Sequence, residues 1–162
     1  MKTSPSVIKI LTISALMLAA GAAGAQSWSM NCTNIGANAP EPLGDREKHS
    51  IHVQAATCTH DGGPFKGAVT TQGVIWEHDA TGSNLLAGDG VARRPGLTIA
   101  FRVTEGVLTW VMKDGKPAGW NAHGKGVYIL AAGDAAEFKG KAFSWTSRPT
   151  GARTYVTDLT VD

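Results

Sequence analysis

The chain has 162 residues, with 15 Lys and Arg against 13 Asp and Glu, 20 Gly, 5 Trp and only 2 Cys. That length gives one domain with a real core and is too short for two comfortable ones. The near-neutral charge argues against a nucleic-acid partner and against a polybasic membrane patch, both of which need several uncompensated cations on one face.

The first 25 residues read as a cleaved secretory leader. Lys2 and Lys9 form a short basic region, Ile8 to Ala22 is an apolar run, and Ala23-Gly24-Ala25 supplies the small side chains of a cleavage site before Gln26. The run is short for a bilayer span, which needs roughly 20 residues, and Gln26 to Ser29 brings no stop-transfer charge cluster. The expectation is a secreted or periplasmic domain, residues 26–162, with no stable membrane insertion after cleavage. Without Lys2 and Lys9 the chain carries 13 Lys and Arg against 13 Asp and Glu. In an oxidising compartment Cys32 and Cys58 are most simply a disulfide. A Cys-based metal site is the rival, but the spacing contains no CxxC element.

No window repeats apolar residues at helical spacing, whereas period two recurs. Ser50 to Thr59 reads as a strand with Ile51, Val53 and Ala55 on one face, ended by Asp61-Gly62-Gly63-Pro64. Phe65 to His78 is a long extended run interrupted by Gly67 and Gly73, where a sheet can bend or bulge. Leu97, Ile99, Phe101 and Val103 alternate with Thr98, Ala100, Arg102 and Thr104. Glu105-Gly106 is expected to reverse the chain, with Val107 to Met112 returning and Lys113-Asp114-Gly115-Lys116 as the next turn. Trp120-Asn121-Ala122-His123 is expected in a loop between Gly119 and Gly124. Val127 to Ala132, Lys141 to Ser147 and Arg153 to Val161 complete the strands, the last with Tyr155, Thr157, Leu159 and Val161 on one side. Seven or eight strands imply a small all-β domain. A closed antiparallel barrel of about eight strands is preferred and a two-sheet sandwich is the alternative. Closure favours the barrel because it removes exposed sheet edges.

Gly133-Asp134-Ala135-Ala136-Glu137-Phe138-Lys139-Gly140-Lys141-Ala142 resembles a strand-turn element of the allene oxide cyclase and dirigent superfamily. There a glycine-initiated turn leads to an aromatic residue, a Gly and a second strand. The family pattern usually has a further Gly near the place of Ala142. Gly88-Asp89-Gly90 is similar to a loop of those barrels. The resemblance implies an eight-stranded barrel with an apolar central cavity, in a superfamily of cyclases and proteins that guide phenolic coupling. No catalytic residue of either branch maps onto this chain, so activity does not follow from it.

Among residues that carry chemistry, His49 and His52 are three apart, which on a strand puts them on opposite faces. His60, His78 and His123 lack the local spacing of a structural zinc site. They read as surface loop residues, with convergence at one barrel mouth as the alternative. Catalytic candidates are Glu77, His52 and Arg102, each conditional on pointing inward. A buried Glu77 would have a raised pKa suited to proton transfer, yet the pattern prefers Trp76 and Val74 inside and Glu77 out. Arg102 and Glu105 are placed to form a surface ion pair. Trp76, Trp110, Tyr128, Phe143 and Trp145 are candidates to line a ligand cavity, against the alternative that they only fill the core. The functional expectation is a carrier of a small apolar or aromatic molecule. An isomerase or cyclase acting in the same cavity is one alternative. A protein-binding module or inhibitor using the exposed segment 113–124 is another. No metal or organic cofactor is expected for folding, and oligomeric state is open.

Overall fold

The computed structural model describes residues 25–36 and 39–161. The expected leader falls almost wholly outside them. Eight long strands are β1 (Gln26–Ile35), β3 (Ser50–His60), β4 (Val69–His78), β5 (Gly82–Arg94), β6 (Leu97–Lys113), β7 (Lys116–Gly133), β8 (Ala142–Pro149) and β9 (Thr154–Val161). A two-residue strand, β2 (Glu41–Pro42), pairs with Ser50 and Ile51 at the start of β3. Every pairing is antiparallel, in the order β1-β9-β8-β7-β6-β5-β4-β3, and β1 pairs again with β3. That last pairing closes the sheet on itself. The fold is a barrel and not a sandwich.

The closing seam carries the disulfide. Cys32 and Cys58 are direct cross-strand partners and form a bond on the inner face. Both are almost fully buried, in line with Trp28, Met30 and Asn34, which alternate inward along β1. Loop closure over 26 residues disfavours the unfolded chain, and the bond pins the register of two strands joined by a long connection in place of a short hairpin.

One end of the barrel is plugged by rings. The loop between β3 and β4 folds Phe65 into the interior, and the turn Gly133–Ala142 delivers Phe138 beside it through a short 3-10 turn at Ala136–Phe138. Phe65 meets Trp28 and Phe138 edge-on, with centroids 5.1 and 5.0 Å away, and Tyr128 at 5.6 Å. Such edge-to-face contacts suit the ring quadrupoles. Phe65 therefore belongs to a floor loop, and the strand expected from Phe65 begins only at Val69.

Three expected turns are strand instead. Glu105-Gly106 does not reverse the chain: β6 runs through it with an irregularity near Thr104. Trp120 to His123 and Gly88 to Gly90 lie within β7 and β5. In each case glycine leaves room for a neighbouring side chain. A Cβ on Gly106 would sit 3.0 Å from the Trp145 ring, and one on Gly90 2.5 Å from Phe101. The Asp114-Gly115 turn forms as the sequence implies, both residues having positive φ (51° and 74°).

Replacing Cys32 and Cys58 together by Ala should lower unfolding free energy by about 3 kcal/mol. Urea denaturation of the folded protein checks this, and no change in midpoint would contradict it.

Candidate functional site

The barrel keeps a hollow above its aromatic floor. The cavity holds about 300 Å³ and reaches the surface beside the exposed Pro40, Gly151 and Ala152. Two turns of sequence logic create it. Side chains alternate inward along every strand, and several inward positions are glycine. Gly124 lies between Gly106 and Trp145 in consecutive strands, so the Trp145 indole lies against backbone. A Cβ on Gly124 would stand 2.0 Å from the Glu105 carbonyl and 2.7 Å from Trp145. Gly126 accommodates Phe143 in the same way, at 2.2 Å. Large rings thus lie along the wall without filling the centre.

All five residues expected to line a cavity do so: Trp76, Trp110, Tyr128, Phe143 and Trp145. Phe143 and Tyr128 approach to 4.7 Å between centroids, and Phe101 meets Phe143 edge-on at 5.9 Å. Trp110 pairs with Trp120 across β6 and β7, and Trp120 meets Tyr155 at 5.9 Å. Trp120, Phe101 and Tyr155 line the same cavity. The faces of Phe101 and Tyr155 were legible from period two, whereas Trp120 was hidden by the flanking glycines.

The three catalytic candidates separate. His52 lines the cavity, but Glu77 and Arg102 lie outside it. Arg102 is exposed on the outer wall, in a shallow hollow with Val69, Val91 and Ile129. Its inward neighbours along β6 are Phe101 and Val103, so the strand pleat turns it outward. Glu105 is engaged by Lys125 at 2.8 Å, not by Arg102. Glu77 is held at the barrel rim, where His49 Nε2–H donates to its Oε1 at 2.8 Å and Arg46 Nη2 at 3.2 Å. His49 Nδ1 also bonds Asp45. With a carboxylate at each nitrogen the ring is best served by two N–H donors. The Asp45 bond, and then the Glu77 bond, raise the His49 pKa, and Asp45 is lowered by the same contact.

Two histidines expected on the surface are buried. His60 is 3% exposed near the floor, where its Nε2 and Thr70 Oγ1 share a hydrogen bond of 2.8 Å. Burial pulls its pKa down to about 4, opposed by the charge on Asp61. His78 is buried at the far end of β4, bonded through Nδ1 to Ser83 Oγ and without a hydrogen-bond partner at Nε2. Its signal was present, since it is two residues from the inward Trp76. The His52 and His78 rings lie 5.4 Å apart, and His78 stacks at 5.8 Å on Trp110. Burial lowers the pKa of both; the His52 charge lowers His78 further, against Asp79. His60 and His78 stand at opposite ends of the barrel wall and His123 is exposed outside, so the three do not converge. Among the described residues no group of three or more His, Cys, Asp or Glu is placed to hold a metal ion.

Two other polar pairs in the wall are matched to each other, whereas the buried Trp145 Nε1 and His60 Nδ1 have no hydrogen-bond partner. Gln72 Nε2 donates to Tyr155 OH at 2.8 Å, and Ser147 and Thr157 share a bond of 2.7 Å. Burial pushes the Tyr155 pKa up to about 12 and raises Tyr128 as well, so both phenols stay protonated. Arg153 lies on the cavity rim and donates through Nη2 to the carbonyls of Asn34 and Gly36, at 3.0 and 2.8 Å.

No protein-family model matches the chain, and no curated protein matches it in sequence.

Gly124→Ala should destabilise the fold by about 1–3 kcal/mol, because the new methyl meets backbone on one side and Trp145 on the other. Gly62→Ala, at a position with open space around it and no positive φ, is the matched control. Thermal melting of both variants checks this; equal melting temperatures would contradict the packing account.

Proposed function

We propose that this protein is an exported barrel that binds one small apolar or aromatic molecule inside its wall. The observation that carries the reading is the aromatic-lined hollow itself. A barrel of this size can fill its interior with side chains, yet here glycines hold the rings flat and leave about 300 Å³ free. That is the lower end of the usual size for small-molecule pockets. Export is supported by the buried disulfide and by the leader-like first 25 residues. No helix among the described residues is long and apolar enough to cross a membrane.

The kinship with allene oxide cyclases and dirigent proteins is retained as a proposal. It is supported by a turn of the implied form: Gly133 opens it with positive φ, Phe138 is buried, and β8 follows Gly140 at Ala142. The isomerase or cyclase reading keeps one supporting observation, the inward face of His52 beside His78. The protein-binding reading loses its loop, since β6 and β7 take up all of 113–124 except the Asp114-Gly115 turn.

Uptake of the uncharged fluorophore N-phenyl-1-naphthylamine at pH 7.5 tests the reading. Ala122 lines the cavity at 3% exposure, opposite Leu108 and Ser147. The folded protein should bind the probe with enhanced emission, and Ala122→Phe should weaken binding at least tenfold by occupying the space. No uptake, or equal uptake by the variant, would overturn it.

A further inference from the structure

The charge of the cavity wall is as informative as its shape. Among the described residues that line it there is no Asp, Glu or Lys, and the one permanent charge is Arg153, already committed at the rim. The titratable wall near the mouth is the His52–His78 pair. The His52 and His78 rings are tilted by 33° to each other, and Trp110 lies 5.8 Å from His78 at the same tilt. Ring planes in that arrangement do not converge their nitrogen lone pairs on one point, so the pair is poorly built to hold a metal ion.

We propose that His52 and His78 determine the specificity of the cavity, admitting an uncharged ligand while both rings are neutral and releasing it when either is protonated. This rests on the reading of the barrel as a binder and adds the charge of the ligand and the trigger for its release. A charged ligand taken into this wall loses its hydration and finds no opposite charge beyond the occupied Arg153, a cost that an uncharged molecule avoids. Protonation of His78 places the same penalty on the protein, and protonation of His52 sets a like charge beside it. An imidazolium at His78 faces His52 on β3, Ser83 on β5 and Trp110 on β6, and none of these is an anion. The nearby carboxylate is Asp79, at the end of β4. Its Oδ1 is held by Thr81 and by the Gly82 amide, and it opposes the lowering of the His78 pKa without cancelling it.

The direction in pH follows. Burial makes both histidines titrate below the ordinary histidine range, so they are neutral at pH 7.5 and gain charge only in more acidic solution. A ligand that prefers the neutral wall loses affinity as that charge appears. His60, whose pKa burial pulls down to about 4, lies beside Phe65 at the floor, away from the pair at the mouth.

Two matched probes test this. N-phenyl-1-naphthylamine is uncharged, and 1-anilinonaphthalene-8-sulfonate adds a sulfonate to the same skeleton. The uncharged probe should bind the full chain at least tenfold more tightly than the sulfonate at pH 7.5, and its own affinity should fall at least fivefold by pH 5. Near-UV circular dichroism at both pH values reports whether the fold persists. Whatever their affinity at pH 7.5, His52→Gln and the double variant with His78→Gln should show a smaller pH ratio, approaching one in the double variant. If the double variant does not fold, the reduced ratio in His52→Gln alone carries the test. Equal binding of the two probes, an acid-independent affinity, an undiminished ratio in His52→Gln, or acid loss that tracks unfolding would each overturn the proposal while leaving the barrel a binder. Absence of binding by either probe at any pH would remove the binder reading as well.

Discussion

The whole molecule depends on the pairing of β1 with β3. Six of the eight neighbour contacts around the barrel link strands joined by a direct connection and a seventh joins the two end strands, and the β1–β3 seam is the one that turns an open sheet into a wall with an inside. A strand edge left open exposes unpaired amides and carbonyls and invites association. Here the edge is satisfied by six cross-strand pairs and locked by a disulfide between directly opposed residues. Every later property, from the buried histidines to the cavity, exists only because that seam holds.

Once the sheet is closed, the interior poses a volume problem. Inward positions filled uniformly with large side chains would produce a solid core. Uniformly small ones would leave a wall with little apolar contact to stabilise it. The chain combines the two across neighbouring strands. Trp145 lies over Gly124 and Gly106, Phe143 over Gly126, and Phe101 over Gly90. Each ring is supported by backbone, so burial stabilises the wall while the centre stays open. At the floor the logic reverses: Trp28, Phe65, Tyr128 and Phe138 pack edge to face and close one end. The hollow is a consequence of where glycine sits.

The same residues explain which parts of the structure were readable in the sequence. Period two in Leu97 to Val103 and Tyr155 to Val161, the Asp-Gly turn and the cysteine pair all carry local signals, and each appears in the structure. The aromatic lining was legible because large rings in a small barrel have few places to go but inward. Interior glycine misled. Gly88, Gly90, Gly106 and Gly124 look like breaks when only the chain neighbours are considered, and their reason lies on adjacent strands. Strand β3 misled in another way: its apolar Val53 is 63% exposed outside, while polar His52 and Gln54 face the cavity. Hydrophobic alternation identifies a strand, but cannot tell the inside of a hollow barrel from its outer wall. Glu77 similarly gained its partners, His49 and Arg46, from a segment 28 and 31 residues away.

The central claim, that the wall is built to stay hollow and receive an apolar guest, is tested most directly by a crystal structure of the protein soaked with N-phenyl-1-naphthylamine. The account predicts the probe inside the barrel, in contact with Trp76, Trp110, Phe143 and Trp145, with those rings still lying along the wall. An interior collapsed onto itself, with the probe found only on the outer surface, would contradict it.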